Sequence, residues 1–168
     1  MVDPRIFLCL ARVEKETCDL YIKISNKTID TYISLMLKFI GYDALKHSLI
    51  FTELAKIHGL EKEEVSNDVC INVLGTFYRD SRMLLKNLSE FVEKKQVLSG
   101  KELRSILERL IPYEGSLGEE YFVGLVTLIF SRSIEEPSKA IKNLLNLIYE
   151  DEERHGNLLK KVVGKIPE

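Results

Sequence analysis

Apolar residues recur every three and four positions along almost the whole chain, and no stretch alternates as a strand would. This periodicity restricts the chain to packed helices, because each apolar stripe needs another to cover it. The first stripe (Leu10, Val13, Thr17, Leu20, Tyr21, Ile24) follows Asp3-Pro4, a favourable N-cap and first helical residue. After a break near 25–30, a second helix carries Ile33, Met36, Leu37, Ile40, Ala44, His47, Phe51 and Leu54 on one side and stops at His58-Gly59. A third runs from about Glu63 to Lys95 through Val69, Val73, Phe77, Leu84, Leu88 and Phe91. Ser99-x-x-Glu102 is a capping box opening a short helix that Pro112 interrupts or ends. Ser116-x-x-Glu119 is a second box, placed to start a helix through Phe122, Val126 and Ile129. Pro137 stands at the first position of the final helix, which carries Ile141, Leu144, Leu145, Ile148, Glu152, His155, Leu159 and Val162 in register. The expectation is an all-α protein in one domain, 1–168.

Its 168 residues suffice for a full core without staples. The charge is −2, from 24 basic and 26 acidic residues with their signs well mixed, which excludes a nucleic-acid or anionic-membrane surface. No apolar run approaches the ~18 residues of a membrane span, and the N-terminus has no basic segment before an apolar core. A cytoplasmic chain with no membrane and no nucleic-acid partner is therefore expected. Abundant Lys and Glu beside a single glutamine, Gln96, suit a heat-adapted source. Cys9, Cys18 and Cys70 are odd in number and form no C-x-x-C pair, so neither a disulfide framework nor a Cys-based metal site is expected.

Glu152 and His155 interrupt the apolar stripe of the last helix from one face, and His47 does the same in the second. Burying an unpaired carboxylate costs several kcal/mol, and an imidazole needs partners for its ring nitrogens. A single such histidine is ordinarily a satisfied core residue. A Glu-x-x-His pair on an apolar face is more specific, because a divalent metal takes a carboxylate oxygen and an imidazole nitrogen from adjacent turns.

The two halves of the chain also resemble each other. Placing Ile29-Asp30 over Ile134-Glu135 puts Glu14 over Glu119, and downstream 40–47 aligns with 148–155, His47 over His155. Both halves read as an acidic helix, a short turn, and a helix with an Asp four residues before a His.

Asp151-Glu152-Glu153-Arg154-His155 resembles the D-E-x-R-H motif of the ferritin-like, carboxylate-bridged di-iron superfamily, with rubrerythrins nearest. That resemblance implies a four-helix bundle of two helix-pair repeats, about 3–58 and 113–165, joined by a helical crossover at about 60–112. The implied metal ligands are Glu14, His47, Glu119, Glu152 and His155, with Glu16, Glu114 and Glu120 as alternatives. Glu119 also reads as the end of a capping box, and Glu14 as an exposed helix charge. Asp43 and Asp151 would accept a hydrogen bond from each ligating histidine; paired with Lys46 and Arg154 they read as surface charge. Tyr21 and Tyr42 would lie near the centre. One departure stands out: Ala44 occupies the position where the family carries a Glu three residues before His47.

The implied cofactor is iron, as a pair or a single ion. The implied chemistry is oxidoreductase or ferroxidase action on O2, peroxide or Fe(II). With no rubredoxin-like cysteines, electrons would come from a separate donor protein, and iron storage would require a homo-oligomer. The alternative is a metal-free, degenerate bundle serving as an interaction or structural protein.

Overall fold

The computed structural model describes residues 3–60, 64–130 and 139–167, and the side chains of these except 118–130 and 139–142. Among the described residues there are five helices and no strand: α1 Ile6–Asn26, α2 Thr31–Ile57, α3 Asn67–Glu93, α4 Gly100–Phe130 and α5 Lys139–Val163. The chain is all-α, as its periodicity requires. It forms two compact units, Asp3–Ser99 with α1 to α3 and Gly100–Glu168 with α4 and α5. No helix among the described residues is long and apolar enough to cross a membrane.

In the first unit, α1 and α2 form a hairpin. Asp30 caps α2, its carboxylate accepting from the Ile33 amide at 2.9 Å. The helix ends at Gly59, whose φ of 80° allows the Gly59 and Leu60 amides to donate back to the carbonyls of Lys56 and Ala55. Gly41 brings the two helices together: a Cβ there would lie 3.2 Å from Tyr21 Cβ and 3.3 Å from Ile22 Cδ1. Their interface buries Val13, Leu20, Tyr21 and Ile24 from α1 with Leu37, Ile40, Ala44 and Phe51 from α2.

The cysteine expectation is corrected. Cys9 and Cys70 are disulfide-bonded, with Cα atoms 5.4 Å apart, tying α1 to the start of α3, and Cys18 is a buried thiol. Spacing rules detect local metal or redox motifs and carry no information about a pair 61 positions apart.

The buried face of α3 is also rotated from the expected one. Cys70, Tyr78, Ser81, Leu85, Leu88 and Val92 point inward, while Phe91 is exposed. Gly75 breaks the helix at φ 64°, ψ −143°, but the inward face is offset already before it, at Cys70 rather than Val69.

In the second unit, α4 begins directly after Ser99, at the expected box, but Pro112 does not end it. The ring is exposed, as is Glu108, the residue whose carbonyl loses its i+4 donor, so water can take that bond. Apolar positions run unbroken across the proline: Leu103, Ile106, Leu107, Leu110, Tyr113 and Leu117 are all buried. Ser116 is consequently a mid-helix residue, donating from Oγ to the Pro112 carbonyl at 3.0 Å rather than capping a new helix. On α5, Leu145, Ile148, Leu159 and Val162 lie inward in one register with Glu152 and His155. Pro137, expected at its start, lies outside the described residues.

Candidate metal centre

The α4–α5 unit buries three groups that could not all be left there alone. Glu114 on α4 is 0% exposed, Glu152 on α5 2% and His155 1%. The 3.6-residue period puts Glu152 and His155 on neighbouring turns of one face, and the uninterrupted α4 carries Glu114 opposite them. Gly156 packs against α4, the position a Cβ would take lying in ordinary contact with the Ile111 carbonyl at 3.9 Å and Glu114 Cβ at 4.0 Å.

His155 Nδ1 lies 3.3 Å from Glu114 Oε2 and 3.3 Å from Glu152 Oε2. One donor atom from each residue falls within 4.8 Å of the others. Donors sharing a cation at bond lengths of ~2.0–2.2 Å stand about 3–4 Å apart, so these separations suit a common ion. The set is two hard carboxylates and one borderline imidazole, which matches iron, manganese or zinc better than calcium or magnesium.

Without an ion the three groups still attract one another, although Glu114 Oε2 and Glu152 Oε1 are buried with no hydrogen bond made. Burial disfavours the imidazolium, but hydrogen bonding and charge from Glu114 and Glu152 outweigh it and push the His155 pKa up to about 11.

The unit of α1 to α3 carries a simpler version. Glu14 and His47 are both 0% exposed, and His47 Nδ1 lies 3.3 Å from Glu14 Oε1. One turn before His47 stands Ala44, 2% exposed, whose methyl group can ligate nothing. Glu14 is therefore a core residue and not an exposed helix charge.

The remaining candidates distribute as follows. Glu16 is half-buried and pairs with Arg82 at 3.0 Å and Arg12 at 3.5 Å, fastening α1 to α3 away from His47's partner. Asp43 pairs with Lys46 at 2.7 Å and Asp151 with Arg154 at 2.5 Å, each four residues before its histidine. Tyr21 is fully buried, whereas Tyr42 is 60% exposed and faces away from the core. The side chains of Glu119 and Glu120 lie outside the described residues. Glu114, only an alternative in the sequence, is the α4 carboxylate that the fold brings to His155. Its signal was present, since it interrupts the stripe running from Leu103 to Leu117, but Pro112 read as a helix end concealed that stripe.

No protein-family model, curated protein or solved structure matches this chain.

Proposed function

We propose that the chain is a ferritin-like metal-binding protein holding a divalent ion, iron foremost, on Glu114, Glu152 and His155. The observation that carries this reading is the convergence of two carboxylates and an imidazole, each at most 2% exposed, within 4.8 Å. The two carboxylates balance the charge of a divalent ion in a buried site. His155 presents Nδ1, the nitrogen already directed at both carboxylates, and must give up its proton to bind. Bound iron would supply electron exchange with O2 or peroxide, hence oxidoreductase or ferroxidase chemistry, with reducing equivalents from a separate donor protein. Glu14 and His47 offer a second, poorer pair of donors, because Ala44 withholds a carboxylate.

Elemental analysis of protein prepared under iron-replete conditions tests this, alongside Glu152→Ala/His155→Ala. About one ion per chain, lost in the variant, supports a single centre on α4 and α5; about two supports occupation of the Glu14–His47 pair as well. No metal in the wild-type protein refutes the proposal. One observation favours a second reading, a metal-free bundle with a scaffolding or interaction role: a protonated His155 lies 3.3 Å from each of two carboxylates and offsets part of their buried charge without an ion.

A further inference from the structure

α2 is apolar on the side facing away from its core as well as on the side facing it. Tyr32 is 80% exposed, Leu35 64%, Tyr42 60% and Leu49 60%, with Phe39 between them at 47%. These positions step by three, four, three and seven, with exposed Lys46 at the intervening step, so they form one seam along the helix, the spacing with which helices pack side by side. A second apolar stripe on the far side of a helix needs a second cover. α1, in the same unit, turns Lys15 and Asp19 to solvent instead.

The geometry points to a second copy of this chain as the cover, α2 packing antiparallel on α2 about a two-fold axis. Three features of the seam favour a copy of itself. Two of its charges are paired within the helix, Lys46 with Asp43 at 2.7 Å and Glu53 with Lys56 at 2.6 Å, and Lys38 on its flank would lie opposite Asp43 of an antiparallel copy, so the face does not repel itself. Its spacing is self-complementary: with the axis between positions 39 and 42, Phe39 meets Tyr42 of the second copy and Tyr32 meets Leu49. Leu35 then meets the aliphatic stem of Lys46, whose ammonium reaches solvent. Its size also suits a dimer. At roughly 150–250 Å² for each large side chain, the seam offers on the order of 700 Å² per copy, near the ~800 Å² a stable interface uses and above an ordinary monomer's patch.

Sedimentation velocity on the full-length chain, from about 1 to 100 µM, is the test. The wild type is expected at twice the 19.4 kDa chain mass. Leu35→Lys/Tyr42→Lys should weaken association at least ~100-fold with unchanged far-ultraviolet circular dichroism, while Tyr42→Phe remains dimeric. If the double variant loses helicity, Leu49→Lys gives the same reading from one exposed position. A wild type monomeric at about 100 µM overturns the inference, and so does a dimer that the lysine substitutions leave intact. A monomer whose seam is shielded from hydroxyl-radical labelling also overturns it, assigning the cover to the chain's own residues.

Discussion

Glu114 and Ala44 set the chemistry of the two units apart. With Glu114 a ligand, Glu114→Gln removes one of two charges facing the ion and should lower metal affinity by at least ~100-fold, as read by isothermal titration with Fe(II) or Zn(II) under anaerobic conditions. Ala44→Glu is the converse. In metal-free protein it places a carboxylate at a site 2% exposed and should cost several kcal/mol in a denaturant melt. Added metal should recover much of that loss, since the introduced carboxylate would join Glu14 and His47 as a donor. His155 gives a pH signature. Its folded-state pKa of about 11 lies above its unfolded value of 6.5, so in chelated protein its contribution to stability is complete below pH 6.5 and is lost as pH climbs towards 11. The stability gap between wild type and His155→Gln should accordingly be widest near pH ~6 and narrow steadily by pH ~10. Metal affinity must move the other way, rising with pH as the displaced proton becomes easier to remove. Glu152 and His155 were legible in the sequence because each breaks an apolar stripe whose register is otherwise unmistakable. Glu114 was obscured, because a proline two residues before it and a serine two residues after it mimic the end of one helix and the start of another.

The helices themselves were legible wherever one periodic stripe ran without interruption, as in α1, α2 and α5. Where backbone conformation overrides periodicity, the sequence misleads. In α3 the stripe extrapolated through Val73 and Phe77 lands beside the buried one, which passes through Cys70, Tyr78 and Leu85 on both sides of the break at Gly75. At Pro112 a missing hydrogen bond on a wet face was outweighed by burial of apolar groups on both sides of it. Gly41 acts through proximity instead. Gly41→Val would push into Tyr21 and Ile22, moving α2 off α1 near the Glu14–His47 pair, and should cost about 1–3 kcal/mol in stability. Gly75→Ala, where nothing lies within 4 Å of the added Cβ, should cost about 1–3 kcal/mol, all of it from the glycine-only backbone conformation at φ 64°, ψ −143°. Thermal melts of both variants distinguish a contact penalty from a backbone penalty: extending the side chain further worsens the first and leaves the second unchanged.

For the molecule as a whole, the tie between α1 and α3 is covalent as well as apolar. Closing a loop of 61 positions removes about 4 kcal/mol of conformational freedom from the unfolded chain, so reduction of Cys9–Cys70 should lower the denaturation midpoint of Asp3–Ser99 markedly. Double substitution of Cys9 and Cys70 by serine should reproduce the reduced protein's midpoint and abolish its response to reductant. The disulfide makes everything between those cysteines, α2 and its exposed seam included, part of a closed ring of chain. A single proteolytic cut inside that ring, in the turn after His58 for example, frees no fragment. Nicked protein would therefore run at full mass on a non-reducing gel and separate into two pieces only once a thiol is added.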